Sequence, residues 1–390
     1  MDKRMKTVCK ENQCTGCMAC LEVCSRDAIS IKDSLRNYNA VIDTAKCINC
    51  KACYRICQNN QTVEGRKPIV WFQGWAKLHE QRIVSSSGGF AAALARYFVK
   101  HNGLVCSCVF SDGKFHFEFA KNESEIGKFT GSKYVKSSPQ GIYKKIKEYL
   151  KTGNEVLFIG LPCQVAAVKL FVGDKLSEKL YLVDLICHGS PSPKNIELFM
   201  LESGFNLKDI SHISFRKKDI FRITQNEHYI DLPGIYDCYS LAFLNSLNYT
   251  ENCYSCQYAK LERVSDVTIG DSWGSTLPQE EKNKGISLAL CQTEKGKNLL
   301  QSADVELYPV DAENAIVHNH QLERPSIKPE TYDKFFESLQ AGKGYREAVK
   351  IGLPRTYRNQ QIKKILIKLR IMRGGGAEYE VTYILNEKWE

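Results

Sequence analysis

Two runs of cysteine near the N-terminus have the spacing of iron–sulfur cluster ligands. In each run, two residues separate the first three cysteines and three residues precede the fourth, and the pattern repeats without a slip. This spacing is typical of two [4Fe–4S] clusters in which the fourth cysteine of each run ligates the other cluster. We therefore expect one cluster on Cys14, Cys17, Cys20 and Cys57, and a second on Cys47, Cys50, Cys53 and Cys24.

Zinc ions and disulfide bonds are the alternatives for these cysteines. Zinc sites usually combine two ligand pairs separated by a longer loop, and disulfides need an oxidising compartment. The charged start of the chain, residues 1–4, lacks the apolar region of a secretory signal. The runs depart from the common pattern in one respect, since Ser25 and Gln58 stand where proline usually follows the fourth cysteine.

The composition is that of an ordinary globular protein of two or three domains. The chain has 390 residues, 43% of them hydrophobic and 25% charged, and we find no apolar stretch of membrane-spanning length. Seventeen cysteines without a signal indicate metal chemistry in a reducing cytoplasm, so we expect a cytoplasmic protein. The formal charge of +10 counts every cysteine as neutral. Anionic clusters would reduce it, so we expect no nucleic-acid partner.

Strand and helix patterns divide the chain into three parts. We expect an α+β ferredoxin-like module over 1–65, a larger α/β domain over 66–345 and a basic helical tail over 346–390. In the larger domain we predict these elements in order: a strand or linker at 68–72, a helix at 90–101, a strand pair turning at Asp112-Gly113, a helix from Ser138-Pro139, a strand at 156–160, a helix from Pro162, a strand at 180–186 and a helix from Ser192-Pro193.

Four more cysteines lie where a sheet could bring them together. Cys163 follows one predicted strand, Cys187 ends the next, and Cys253 and Cys256 form a CxxC pair. Because ligands collect beyond the carboxyl ends of strands in an open α/β sheet, these four can converge on one metal centre. Buried structural thiols are the alternative. We assign that structural role to the cysteines without ligand spacing, which are Cys9, Cys106, Cys108, Cys238 and Cys291.

Several uncommon motifs lie between residues ~80 and ~275. In chain order they are Ser86-Ser87-Gly88-Gly89-Phe90, Gly131-Ser132-Lys133-Tyr134-Val135, Gly160-Leu161-Pro162-Cys163-Gln164-Val165, Cys187-His188-Gly189-Ser190-Pro191-Ser192-Pro193, Cys253-Tyr254-Ser255-Cys256 and Asp266-Val267-Thr268-Ile269-Gly270-Asp271-Ser272-Trp273-Gly274. In type and order they resemble the motifs of the coenzyme F420 hydrogenase/dehydrogenase beta-subunit family. Leu161 and Ser272 replace the threonine and phenylalanine usual in the family.

The resemblance implies a flavin, usually FAD, beside a third [4Fe–4S] cluster. It makes Cys163, Cys187, Cys253 and Cys256 the cluster ligands. It also points to flavin contacts in two segments, Ser86, Ser87, Gly88 and Gly89 in the first, and Ser132, Lys133 and Tyr134 in the second. A Gly-Gly turn before a helix leaves backbone N–H groups open for a pyrophosphate, which agrees with this assignment.

Two further residues are candidates for catalysis. His188 either relays protons to a flavin or belongs to a structural turn, and Asp271 either hydrogen-bonds the flavin or orients a loop. The chain has no G-x-G-x-x-G or P-loop pattern, so a Rossmann nicotinamide site is unsupported.

The resulting hypothesis is a flavin-dependent iron–sulfur oxidoreductase that takes electrons from a redox protein or small donor. Its acceptor would be coenzyme F420 or another small organic molecule. The alternative is an electron-transfer adaptor for a partner enzyme, and a weaker one is a reductase in polysaccharide biosynthesis, where bacterial relatives occur. The segment from Arg355 to Arg373 carries seven basic and no acidic residues. It is either a membrane-surface or partner-binding helix, or a terminal helix packed on its own domain.

Overall fold

The computed structural model describes residues 6–372, and its β structure forms three sheets. The strands are β1 Ile29–Asp33, β2 Tyr38–Ile42, β3 Val70–Ala76, β4 Leu104–Ser111, β5 Lys114–Ala120, β6 Val156–Gly160, β7 Leu180–Leu185, β8 Ile213–Ser214, β9 Thr224–Gln225, β10 His228–Tyr229, β11 Val267–Asp271, β12 Ser287–Cys291 and β13 Val305–Tyr308.

The helices alternate with these strands through most of the chain. They are α1 Ala19–Val23, α2 Ala52–Ile56, α3 His79–Val84, α4 Phe90–Lys100, α5 Ile142–Lys151, α6 Pro162–Val172, α7 Pro193–Glu202, α8 Cys238–Leu244, α9 Gln279–Asn283, α10 Glu294–Ser302, α11 Ala312–His318, α12 Tyr332–Gln340, α13 Tyr345–Gly352 and α14 Pro354–Lys368. The predicted mixed α/β architecture is confirmed.

The largest sheet has eight strands in the order β13-β3-β12-β11-β7-β6-β4-β5. Strands β4, β6, β7 and β11 run parallel, and the outer strands join antiparallel on both sides. Because side chains alternate along a strand, neighbouring residues point to opposite faces of the sheet. Val105 packs with α4 and α10, whereas Cys106 packs with α5 and α6. Helices therefore cover both faces, and the carboxyl ends of β6 and β7 lie at one edge.

Residues 6–65 contain an antiparallel hairpin, β1–β2, and two five-residue helices, α1 and α2. Each helix begins after a left-handed residue, Met18 or Lys51, and each ends just before the last cysteine of a run. Residues 68–72 do not form a linker, because β3 pairs with β12 and β13 inside the large sheet. Helix α13 crosses the predicted division at 345/346. The three-part division stays a prediction.

The helix predicted from Ser138-Pro139 begins later, at Ile142. The reason is a cap supplied by a distant residue. The carboxylate of Glu22 accepts hydrogen bonds from the backbone N–H groups of Gly141, Tyr143 and Lys144. These N–H groups have no partner within their own helix. A tertiary cap of this kind fixes the helix start, and local sequence contains no sign of it.

The C-terminal helix α14 buries none of its residues. Lys364 pairs with Asp231 at 2.8 Å, and the Gln360 side chain accepts from the backbone of Tyr236 at 3.2 Å, so one side of the helix is attached to the body. Ile362, Ile365 and Leu369 of this helix and its end are exposed. Arg373 lies outside the described residues. No helix within residues 6–372 has the length and apolar character needed to cross a bilayer.

Candidate functional site

The second predicted cluster site, which we call the outer site, lies at the surface. Its four cysteines, Cys24, Cys47, Cys50 and Cys53, line one small apolar pocket. Cys50 is exposed and the other three are half-buried. Burial raises the pKa of Cys53, and the neighbouring Cys24 and Cys47 raise it further. The structure therefore brings together the four cysteines that the spacing assigned to one cluster.

The first predicted cluster site, which we call the inner site, is buried. Cys14, Cys17, Cys20 and Cys57 are each at most 8% exposed. Burial raises the pKa of Cys20, and the nearby Cys17 and Cys14 add to this effect. Cys14, Cys20 and Cys57 share an apolar cluster within the module, while Cys17 packs into the core beneath the large sheet. The inner site thus lies where the module meets the large unit.

The third predicted site, which we call the central site, forms at the carboxyl edge of the sheet. Cys163 is the second residue of α6, directly after β6, and Cys187 follows β7 by two residues. Cys253 belongs to a short 3-10 helix, Glu251–Ser255, and Cys256 follows it. All four cysteines line a single cavity of about 290 Å³. The predicted convergence of two strand ends with the CxxC pair is what the structure shows.

Local hydrogen bonds fix the backbone that carries Cys163. The side-chain oxygen of Gln164 accepts from the backbone N–H of Leu161 at 2.9 Å, and its amide group donates to the carbonyl of Ser137 at 3.2 Å. Pro162 stands at the first position of the helix, where a missing N–H costs nothing. The motif therefore presents Cys163 at a rigid helix start, and Leu161 takes part through its backbone.

Burial sets the charge state of the central cysteines. It raises the pKa of Cys163 well above its ordinary value and that of Cys187 to about 12. Without a metal these thiols are protonated at neutral pH, and metal binding would release their protons. The Asn252 amide lies 3.8 Å and the Thr250 hydroxyl 3.6 Å from the sulfur of Cys253.

A buried lysine stands among these cysteines. Lys136 is 6% exposed, lines the central cavity and donates from its ammonium group to the carbonyl of Thr15 at 3.2 Å. Burial alone would lower the pKa of Lys136, but the negative charge of the neighbouring cysteines in their thiolate form more than offsets this and raises it. These cysteines are Cys253, Cys163, Cys14 and Cys187. A fixed positive charge next to four convergent cysteines suits an anionic cluster, so the donor set fits a [4Fe–4S] group.

The central cavity is built by both parts of the chain. The module contributes Lys10, Gln13, Thr15, Asn59 and Asn60 to its wall, and the large unit contributes the cysteines and their neighbours. Within residues 6–372, no three His, Cys, Asp or Glu side chains come together as ligands of a single metal ion.

Hydrogen bonds join the module to the large unit around the inner and central sites. The hydroxyl of Tyr143 donates to the carbonyl of Cys17, and the Ser255 hydroxyl donates to the Gln13 side chain at 3.0 Å. Gln257, next to Cys256, donates to the carbonyl of Gln58 at 3.1 Å. Gln58 follows the predicted inner ligand Cys57, so the residue that replaces the usual proline forms part of this contact.

The two segments predicted to contact flavin meet in the structure. The backbone N–H of Ser132 donates to the hydroxyl of Ser86 at 3.0 Å. Gly89 adopts a left-handed conformation, with φ of 94°, as the N-cap of α4, and no side chain caps the first turn of that helix. Gly88 packs against the sheet, where an added Cβ would lie 2.4 Å from the carbonyl oxygen of Gly74. The uncapped turn fits an anionic group such as a pyrophosphate.

The side chains of Lys133 and Tyr134 make hydrogen bonds or ring contacts within the protein. The Lys133 ammonium donates to the carbonyls of Phe129 and Thr130, and burial lowers its pKa to about 8. The Tyr134 ring stacks on Phe243 with centroids 4.3 Å apart. These contacts leave Lys133 one of its three donors, so the role of both residues toward a flavin stays a prediction.

Asp271 forms an ion pair that no motif in the sequence predicts. Its two carboxylate oxygens accept from the Arg216 guanidinium at 2.6 and 2.8 Å. The Arg216 side chain is only 5% exposed and lies over the rings of Phe221 and Trp273. Nearby, Lys218 donates to the carbonyl of Ser87 at 2.9 Å. Arg216 lies outside every motif of the sequence, so neither its burial nor its pairing with Asp271 could be predicted.

His188 lines the central cavity next to Cys187. Its Nδ1 lies 2.6 Å from the amide nitrogen of Gln321, so Nδ1 accepts from that amide. Burial lowers the pKa of His188 to about 4, and the neighbouring His320 contributes to the same shift. A neutral imidazole held in one tautomer is compatible with the structural role, and the proton-relay role stays a prediction.

Two family models match parts of the chain that carry cysteine motifs. Residues 153–312 match the family model for the C terminus of the coenzyme F420 hydrogenase/dehydrogenase beta subunit, and residues 13–63 match that of a 4Fe-4S dicluster domain. Among solved structures, a chain of the F420-reducing [NiFe] hydrogenase complex from Methanosarcina barkeri is 17% identical, with a TM-score of 0.47. The alignment covers 83% of this chain and 98% of that one. No curated protein matches.

Proposed function

We propose that this chain, a member of the coenzyme F420 hydrogenase/dehydrogenase beta-subunit-like family with a 4Fe-4S dicluster domain, is an iron–sulfur flavoprotein oxidoreductase. Electrons would move between [4Fe–4S] clusters at the outer, inner and central sites and a flavin in the large unit. The flavin would pass these electrons to a small organic acceptor, of the coenzyme F420 type or another class.

One observation carries this proposal: the central cavity shares its wall with the module that holds the inner site. Lys136 lies within electrostatic reach of Cys14 at the inner site and of Cys163 at the central site. A single buried cation therefore stabilises negative charge at both sites. This supports direct electron exchange between them, without a mobile carrier.

The outer site supplies an entrance for electrons. It is the one of the three sites that has an exposed cysteine, Cys50, and the side chain of Ile48 beside it is 61% exposed. Two basic residues, Arg26 and Lys51, stand in the wall of its pocket. A redox protein or small donor could reach this site without any rearrangement of the large unit.

The residues that would hold a flavin are those of the two predicted segments. The first turn of α4 offers backbone N–H groups after Gly89, and Ser86 and Ser132 join the segments. Residue 132 also lies only four residues before Lys136 along the chain, which supports placing a flavin near the central site. A bound flavin would connect the one-electron chemistry of clusters to two-electron chemistry of organic substrates.

The test begins with anaerobic purification and measurement of iron, sulfide and flavin per chain. About twelve irons, from three four-iron clusters, and one flavin are expected. Cys163→Ala should remove about four irons and abolish flavin reduction by dithionite-reduced clusters, whereas the matched control Cys291→Ala, at a buried cysteine in the core of the large sheet, should keep both.

Other results would redirect the assignment. About eight irons and no flavin in the wild-type protein would favour the adaptor alternative, in which the chain hands electrons to a partner enzyme. Unchanged flavin reduction in Cys163→Ala would contradict the role of the central site.

A further inference from the structure

A fifth cysteine lies at the inner site. Cys9 precedes the first cysteine run and has no ligand spacing. In the structure it is 7% exposed and shares the apolar cluster of Cys14, Cys20 and Cys57. Cys14 and Cys57 are neighbours of this thiol in that cluster, and both influence its pKa. The inner site therefore has four ligands and one additional thiol in its wall.

Cys9 is held in this position by its surroundings. The Thr7 hydroxyl donates to the carbonyl of Cys9 at 2.6 Å, and the Asn59 amide lies 3.7 Å from its sulfur. The backbone N–H of Val8 donates to the carbonyl of Ala40 at 2.9 Å, which ties this segment to β2. The Cys9 thiol thus lies between β2 and the predicted ligands of the inner site.

The internal repeat supplies a natural comparison for Cys9. Cys9 stands five residues before Cys14, the first cysteine of its run, and Ile42 stands five residues before Cys47. Ile42 lines the outer site. The segments that carry the two residues are antiparallel neighbours, since the Ile42 N–H donates to the carbonyl of Lys6. The two sites therefore differ at one equivalent wall position, with a thiol at the inner site and a hydrocarbon at the outer.

We infer that Cys9 is a positioning residue whose S–H group donates a hydrogen bond to a ligand sulfur of the inner cluster and raises the reduction potential of that cluster. Hydrogen bonds to ligand sulfurs stabilise the additional negative charge of a reduced cluster and so raise its potential. Ile42 cannot donate such a bond. The inference rests on the proposed function only in requiring clusters at both sites.

The test is a redox titration of the intact protein under anaerobic conditions, with dithionite as reductant and electron paramagnetic resonance as readout. Cys9→Ala should lower one midpoint potential by about 59 mV, which is a tenfold change for a one-electron couple, and leave the others unchanged. Cys9→Ser retains a hydrogen-bond donor and should lower the same midpoint potential by a smaller amount. The reciprocal variant Ile42→Cys should raise a different midpoint.

Iron analysis on the same samples separates the outcomes. Unchanged midpoints in Cys9→Ala with full iron content would overturn the inference and leave the proposed function intact. Loss of about four irons from both Cys9→Ala and Cys9→Ser would also overturn it, because Cys9 would then be a ligand. A wild-type protein without clusters in its module would instead contradict the proposed function.

Discussion

The ammonium group of Lys136 donates a hydrogen bond to the backbone carbonyl of Thr15 and so joins the large unit to the loop of the first cysteine run. Thr15 lies between two inner-site cysteines, and Lys136 lines the cavity of the central site. One buried charge is therefore shared by two predicted clusters, which makes it the most informative position to change.

Replacing Lys136 with methionine should lower the potential of the central cluster. The substitution removes a positive charge that favours the more negative, reduced state, and charges interact strongly in a buried environment. We expect a shift of about tenfold in the reduction equilibrium, or ~59 mV, in a potentiometric titration. Lys136→Arg keeps the charge and is the matched control. Equal potentials for Lys136→Met and wild type would argue against the electrostatic role.

Glu22 is expected to hold the module on the large unit. Glu22→Ala removes a carboxylate that accepts from three backbone N–H groups at the start of α5. Loss of a helix cap or of a charged hydrogen bond costs roughly 1–3 kcal/mol. Hydrogen exchange measured by mass spectrometry should show faster exchange in residues 142–151. Glu22→Gln retains one acceptor oxygen and should show a smaller change, and equal exchange in all three proteins would contradict the prediction.

The Arg216–Asp271 pair predicts a rescue by double substitution. Arg216→Met leaves the carboxylate of Asp271 without its partner and should lower the free energy of unfolding by roughly 1–3 kcal/mol. This is less than for a fully buried pair, since the Asp271 side chain is 21% exposed. Adding Asp271→Asn should recover part of the loss. Thermal melts of the wild type and the three variants provide the double-mutant cycle, and strictly additive losses would show that the pair is not coupled.

Lys133 predicts a specific dependence of stability on pH. Burial lowers its pKa to about 8 in the folded protein, whereas an unfolded lysine titrates near ~10.4. Between these values the unfolded state binds more protons, so the free energy of unfolding contributed by Lys133 rises with pH.

Thermal melts at pH 7.5 and pH 10 should therefore show that the wild type becomes more stable relative to Lys133→Met as the pH rises. We expect a gain of about 1–2 kcal/mol, which is below the ~3 kcal/mol of the pKa shift alone because the residue is partly exposed. Lys151→Met is a control on an exposed residue and should behave like the wild type. A constant difference between wild type and Lys133→Met would contradict the assigned pKa.

The elements of the large unit were predictable where their signals are local. The helix from Pro162, the strand at 156–160 and the helix capped by Ser192 are confirmed, because Pro, Ser and apolar runs act over a few residues. The start of α5 was wrong because its cap comes from Glu22, over 100 residues away. Strand β3 could not be separated from a linker, since its partners β12 and β13 lie more than 200 residues downstream.

Residues of the candidate site were likewise predictable where their signals are local in the sequence. Cysteine spacing, strand ends and the CxxC pair were sufficient to predict that Cys163, Cys187, Cys253 and Cys256 share one cavity. Lys136 was missed, although it lies directly after a quoted motif, because a lysine carries no sign of its burial. Cys9 was taken as structural, and only the pairing of its segment with β2 brings it to the inner site.

The burial of the inner site constrains the order of maturation. Cys57 is 8% exposed and Cys17 lies in the core beneath the large sheet, whereas Cys50 of the outer site faces solvent. A scaffold protein that delivers preassembled clusters can reach the outer site in the finished fold. It can reach the inner site only while the module is still undocked. We therefore expect the inner cluster to be inserted before Glu22 engages α5.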